Sequence, residues 1–194
     1  DVISVFDPNQ YPNSQTGGAQ RIPVTPRNKR SMFLNLQALG GLDVFLRLIR
    51  NADGIVERNR PGVAKNLGIH YEAVKAINPS VVYCSLSGFG QTGPYAGIAG
   101  HDVSFEAVAG MLPVHDGVPQ MPHYRQADLN AATFAAVALL MGLLARSKSG
   151  QGQYIDVAFM DVSITIPPGL PGNEYFRGEN PAYQLYETQD GRYL

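Results

Sequence analysis

The chain has 194 residues, 44% of them hydrophobic and 16% charged, with a formal net charge of -1; that composition excludes a disordered polypeptide and allows one sizeable domain, or a domain and the start of a second. The near-neutral balance offers nucleic acid or an anionic membrane no overall field, so an anionic ligand has to be met by a local basic cluster. The single cysteine, Cys84, excludes an intrachain disulfide framework and a cysteine-rich zinc site.

From the N-terminus, Asp1-Val2-Ile3-Ser4-Val5-Phe6 reads as a strand. Residues 8–28, rich in Pro, Asn, Gln and Gly, read as an irregular surface loop. Ser31 to Leu36 alternates as a short strand does, and Leu42, Phe45, Leu46 and Ile49 lie on one face of a helix. Gly54 to Glu57 reads as a buried strand, Arg60-Pro61-Gly62 as a turn, and Pro61 to Leu67 as a short helix. The next helix covers Tyr71 to Ile77 and is stopped by Asn78-Pro79. Val81 to Ser87 is a strand that carries Cys84 as a small buried hydrophobe, which suits a reducing, cytoplasmic setting.

That strand feeds the glycine-rich loop Gly88-Phe89-Gly90-Gln91-Thr92-Gly93-Pro94. A helical segment over Val103 to Met111 and a Pro- and His-containing loop over residues 112–127 follow. Asp128 then heads a long apolar helix whose stretch from Leu129 to Ala145, broken by Asn130 and Thr133, suits a buried helix better than a membrane span. Tyr154 to Ala158 is a strand, and the apolar segment after it breaks at Pro167-Pro168. Asp190-Gly191-Arg192-Tyr193-Leu194 reads as a hairpin turn entering a strand. A start in mid-strand without Met and an end in an unfinished hairpin are expected of an internal piece of a longer chain. Strands alternating with helices make this an α/β fold with a mostly parallel sheet.

Loops at the carboxyl ends of parallel strands are where such sheets place ligands. The glycines of residues 88–93 allow close backbone approach and offer N–H groups to an oxyanion, although a plain turn explains them as well. The string also fits a dinucleotide fingerprint, but it runs into Pro94 instead of a helix and lacks an acidic ribose partner. Asp128 has a dull explanation as a helix-capping aspartate. Arg27, Lys29 and Arg30 read as a solvated basic edge, and His70 as a surface residue. His115, His123 and Asp116 share a loop, but their spacing matches no metal site.

Taken together, certain segments resemble the family III CoA-transferase and 2-methylacyl-CoA racemase superfamily, the CaiB/BaiF type. They are Asn28 to Ser31, Ala52 to Glu57, Arg60 to Val63, Leu67-Gly68, Asn78-Pro79, Ser87 to Pro94, Gly100-His101-Asp102, Asp128, Gly150 to Asp156, Tyr186-Glu187 and Asp190 to Tyr193. The resemblance implies a Rossmann-like large domain over residues 1–165, without the family's first strand and helix. It implies a linker and the start of a smaller α/β domain over residues 166–194. It also implies a homodimer of interlocked chains, an acyl-CoA thioester as substrate, and no cofactor beyond the CoA that the substrate carries.

In that family the aspartate at position 128 is the reacting carboxylate. In a transferase it attacks the thioester carbonyl and forms a mixed anhydride as CoA leaves. In a racemase it is one of two bases flanking the α-carbon, and Gly100-His101-Asp102 is the form the second site takes in the racemase branch. The resemblance therefore implies a 2-methylacyl-CoA racemase using His101 and Asp128, with a CoA transferase acting through Asp128 as the alternative and a catalytically silent subunit as a third reading. Asp102 either orients His101 or caps the following helix. Gly88, Phe89, Gly90, Gln91 and Gly93 are expected at the thioester oxygen. Arg27, Lys29, Arg30 and Arg60 are expected at the phosphates and adenosine of CoA, with Lys65 standing in where relatives carry a cation and this chain has Asn66.

Overall fold

The computed structural model describes residues 1–9, 27–165 and 186–192. Their elements run β1 (Ile3–Phe6), β2 (Arg30–Phe33), α1 (Gly41–Ile49), β3 (Gly54–Glu57), α2 (Val63–Asn66), α3 (Tyr71–Ile77), β4 (Val82–Ser87), α4 (Asp102–Val108), β5 (Val114–His115), β6 (Val118–Pro119), α5 (Gln126–Ser149), β7 (Gln153–Ala158) and α6 (Phe159–Thr165). The expected α/β class with a mostly parallel sheet is what folds. β1 pairs in parallel with β2, from Ile3 opposite Arg30 to Phe6 opposite Phe33. A three-stranded sheet has the order β3-β4-β7. The break expected at Pro167-Pro168 and most of the residue 8–28 loop lie outside the described residues.

Packing divides the chain into two compact units. One holds Asp1–Ile55, Gly62–Tyr83 and Gly142–Tyr154. Its core is Phe45, Ile49, Ile69, Val74, Val81 and Tyr83, fed by the apolar faces of α1 and α3. Asn78 closes this core. Its side-chain Nδ2 donates to the carbonyls of Ile49 (3.0 Å) and Ala52 (2.9 Å), and its Oδ1 accepts from the Ser80 amide (3.1 Å). The Asn-Pro helix stop thus also ties the end of α1 to the approach to β4, by satisfying carbonyls a helix end leaves unpaired. Arg146 works likewise near the end of α5, bridging to the Asp53 carboxylate at 2.7 Å.

The second unit holds Val56–Pro61, Cys84–Met141 and Ile155–Leu194. Cys84, Leu86, Ala131, Ala135, Val157 and Val162 form its core. Cys84 is fully buried as expected, and burial, with help from Glu57 and Asp156, pushes its thiol up to about 11. It therefore stays protonated and unreactive at neutral pH.

Three expectations change. β3 is half-buried, not buried, with Val56 exposed. The loop of residues 112–127 contains an antiparallel hairpin, β5 with β6. Its turn is Asp116-Gly117, both at positive φ (50° and 77°), the backbone a two-residue hairpin turn requires. α5 is also not a buried helix: Ala127, Ala131, Ala135 and Gly142 are buried, whereas Leu140 and Met141 are 65% and 66% exposed. Hydropathy counts residues without regard to face, and here the small ones face the rest of the chain. By length and composition alone α5 could also cross a membrane, as long core helices can.

Candidate active site

The glycine loop, His101 and Asp128 all belong to the second unit. β4 ends at Ser87 and delivers the glycine loop, whose first residue is held by the Met160 amide donating to the Gly88 carbonyl at 3.1 Å. Gly88 and Gly100 are required by packing. A Cβ on either would stand 2.7 Å from Cε1 of Phe105, the buried aromatic of α4. Phe105 also stacks on Phe159 (centroids 5.1 Å apart) and meets Phe89 edge-on at 5.2 Å. These contacts dock α4 beneath the loop. Gly88→Ala is expected to push this ring aside and destabilise the protein by about 1–3 kcal/mol, read as a lowered denaturation midpoint.

The loop's N–H groups are not all open to a ligand. The Gln91 amide donates to Asp156 Oδ2 at 2.9 Å, so this N–H, expected at an oxyanion, is occupied. The Gln91 side-chain Nε2, in contrast, is buried without a hydrogen-bond partner among the described residues. Gly90 and Gly93 adopt left-handed backbone (φ 84° and 96°), which shapes the loop.

α4 starts at Asp102, directly after His101, whose extended backbone and exposed side chain form the N-cap position. Asp102 neither orients His101 nor caps its own helix in the described hydrogen bonds. Its Oδ1 accepts the Asp128 amide at 2.7 Å. One turn on, at the i+4 spacing that puts two side chains on one helix face, Glu106 Oε1 accepts the amides of Gln126 (3.0 Å) and Ala127 (3.4 Å). α5 begins at Gln126, so Asp128 lies inside its first turn and is not its cap. The amide donors that a helix start leaves unpaired are met from α4.

Asp128 has a half-buried carboxyl group, raised above the ordinary aspartate value by burial and then by the neighbouring Asp102 charge. Arg125, with its guanidinium 3.9 Å from Asp128 Oδ2, and then Arg58 and His101 act the other way. His101 and Asp128 are linked through Asp102, which follows His101 in sequence and accepts the Asp128 amide. Arg58 is presented by the turn after β3, where Glu57 Oε2 accepts the Asn59 amide at 2.8 Å and Glu57 Oε1 accepts the Ser85 hydroxyl.

Sequence reasoning missed four of these residues: Arg58, Glu106, Arg125 and Asp156. The available signals were Arg125 three positions before Asp128, and an acidic pair spaced i, i+4 in an otherwise apolar helix. The basic residues expected at CoA (Arg27, Lys29, Arg30, Arg60 and Lys65) are all exposed, as cations that meet phosphates have to be before binding. His70 is half-buried at the start of α3, not on the surface, and its Nδ1 is unpartnered among the described residues. His115 pairs with Asp116 at 3.4 Å in open solvent. Among the described residues no group of three or more His, Cys, Asp or Glu side chains is arranged to hold a metal ion. Near the C-terminus the expected turn forms, with the Thr188 amide donating to the Arg192 carbonyl at 2.8 Å; Tyr193 and Leu194 lie outside the described residues.

Comparison with known proteins places this arrangement. The model of CoA-transferase family III matches residues 6–194. The succinate–glutarate CoA-transferase of Agrobacterium fabrum is 34% identical over 86% of this chain and 45% of its own length. The human alpha-methylacyl-CoA racemase is 33% identical over 87% of this chain and 48% of its own. Among solved structures, a CAIB/BAIF family protein from Brucella suis superposes with a TM-score of 0.78 at 29% identity, covering 98% of this chain and 57% of that one. The chain spans about half the length of the curated relatives it matches.

Proposed function

The chain belongs to CoA-transferase family III, and on that premise we propose that it inverts the α-carbon of a 2-methylacyl-CoA, or a similar 2-substituted thioester, by 1,1-proton transfer. The observation that carries this reading is that His101 stands at the N-cap of α4 directly before Asp102, whose carboxylate accepts the Asp128 amide at 2.7 Å, so one short link joins an imidazole and a carboxylate. Inverting a carbon acid needs a base on one face and a proton donor on the other. One group takes the α-proton, the electron pair moves into the thioester carbonyl to give an enolate, and the other group returns a proton to the opposite face. For the mirror substrate the roles exchange.

The environment suits both. Imidazole titrates nearest neutrality of the side chains. A carboxylate raised above its ordinary value by burial is a stronger base toward the α-proton than a fully solvated one. The enolate oxygen needs donors, and the Gln91 Nε2, buried and without a hydrogen-bond partner among the described residues, is one that the loop has to spare. Arg58 and Arg125 add positive charge near the developing anion. The same proposal includes exposed Arg27, Lys29, Arg30, Arg60 and Lys65 as contacts to CoA, an interlocked homodimer, a cytoplasmic setting and no cofactor beyond CoA. Loss of optical purity from one enantiomer of a 2-methylacyl-CoA, followed by chiral chromatography, tests it; a product that keeps its configuration counts against it.

A second reading is favoured by the transferase among the relatives. Asp128 attacks the thioester carbonyl, the C–S bond breaks and CoA leaves as its thiolate; the thiolate then attacks the aspartyl carbonyl of the mixed anhydride and frees the first carboxylic acid. The acceptor carboxylate displaces CoA from that aspartyl thioester, and the thiolate takes the acceptor acyl group from the second anhydride, which frees Asp128. Hydroxylamine trapping of an acyl adduct on Asp128 during turnover supports that route, and no adduct under saturating substrate opposes it.

A further inference from the structure

The start of α5 is built unlike an ordinary helix start. Its first-turn amides at Gln126, Ala127 and Asp128 are bonded by two carboxyl side chains from α4, Glu106 and Asp102. Glu106 is 1% exposed and Asp102 8%. The two buried carboxyls stand one turn apart on α4 and meet successive amides of α5, so each lies in the field of the other. Two ionised carboxylates this close and this buried would repel, whereas one proton and one charge satisfy three amide donors and place a single negative charge at the positive end of the helix.

We propose that Glu106 is a positioning residue for the reaction: in its protonated form it donates to Asp102, holds the first turn of α5, and so sets where the Asp128 carboxylate stands and how much negative charge it faces. This rests on the reading of Asp128 as the reacting carboxylate. The mutual geometry supports it, because Asp102 is at once the acceptor for the Asp128 amide and the charge that raises the Asp128 carboxyl. Burial, and then the neighbouring Asp102 carboxyl, raises Glu106 itself above the ordinary glutamate range. The other charged groups on packed elements are Arg125 and Asp128 at the start of α5, His101 before α4, and Asp161 on α6, which packs along α4.

The sign follows. Glu106 works protonated, so its contribution is present below its raised pKa and is lost as pH rises through it. Glutamine at 106 keeps an acceptor for the two amides and a permanent donor to Asp102. The test uses the whole protein with Glu106→Ala and Glu106→Gln. It reads kcat and KM across pH on a turned-over acyl-CoA, and amide hydrogen exchange at residues 126–128. Glu106→Ala is expected to lower kcat roughly 10- to 100-fold, with KM within about threefold, and to speed exchange at the three amides. Glu106→Gln is expected to recover most of both losses and to remove the decline in kcat at rising pH that belongs to Glu106.

A glutamine variant as impaired as the alanine variant overturns the proposal, since it would mean that the ionised carboxylate is what is needed. So does an alanine variant with faster exchange and unchanged kcat, which reduces Glu106 to a structural cap. If the alanine variant does not fold, the glutamine pH profile decides alone, and an unaltered decline overturns the proposal. Failure of the underlying reading shows separately, as full turnover by Asp128→Asn.

Discussion

Asp128→Asn is expected to lower kcat by about 10²- to 10⁴-fold, the range in which a positioned acid–base group acts, while leaving the fold intact. Asparagine has nearly the same volume, and the residue 128 amide can still donate to Asp102, since that 2.7 Å bond uses only the backbone. The substitution therefore removes a proton-transfer group without removing a support. Near-native unfolding midpoints must accompany the loss; a variant that unfolds early tests stability and not chemistry. pH sharpens the expectation. In the direction where Asp128 is the base it must be ionised, so the rate falls as pH falls through its pKa. Burial and Asp102 raise that pKa above the ordinary aspartate value. The acid limb of kcat/KM should accordingly sit above the range of a solvated aspartate and shift when Asp102 is neutralised.

His101→Ala is the substitution with the second largest expected effect, and it separates the two reactions the family performs. If His101 and Asp128 share the proton transfer, removing the imidazole lowers inversion by about 10²-fold or more. Asp128 can still remove the α-proton from the enantiomer that presents it, so solvent exchange into that enantiomer survives while exchange into its mirror image is lost. A transferase working through Asp128 alone has no need of a second base, and His101→Ala then costs it less than about tenfold. Retained inversion would remove His101 from the proposed mechanism. His101 is exposed and its backbone lies ahead of α4, so its side chain can be cut without opening the core.

The residues that made the fold legible did so through local physics. The i, i+3, i+4, i+7 face of Leu42 to Ile49 became α1, and Asn78-Pro79 stopped α3 at Ile77. The apolar run to Ser87 became the most deeply buried strand. Where legibility failed, the deciding contact was distant in sequence. Nothing near Asp102 indicates that its carboxylate bonds an amide 26 positions on, and nothing near Gly88 shows that Phe105 needs its missing side chain. Gln91 was read from its glycine neighbours as an anion-binding amide, yet Asp156, 65 positions away, occupies that N–H. The hairpin at Asp116-Gly117 is written in turn chemistry, since Asp-Gly supplies the two positive-φ residues that the turn needs. α5 shows another limit, because hydropathy recognises an apolar helix but not which face meets the rest of the chain.

The same distinction holds for the site. The family motifs point to Asp128 and His101, while the groups around the Asp128 carboxyl (Asp102 in its actual role, Arg58 and Arg125), and Glu106 beneath its helix start, emerge only in the folded chain. A carboxylate's chemistry is decided by what surrounds it.

The central claim, proton transfer at an acyl-CoA α-carbon by His101 and Asp128, is tested most directly in D2O. The whole protein is given one enantiomer of a 2-methylacyl-CoA together with a free carboxylic acid as an alternative CoA acceptor, and mass spectrometry follows both the α-carbon deuterium and any new thioester. Deuterium uptake with loss of optical purity and no new thioester is the predicted result. A new thioester with no deuterium at the α-carbon would contradict it and make Asp128 an acyl carrier.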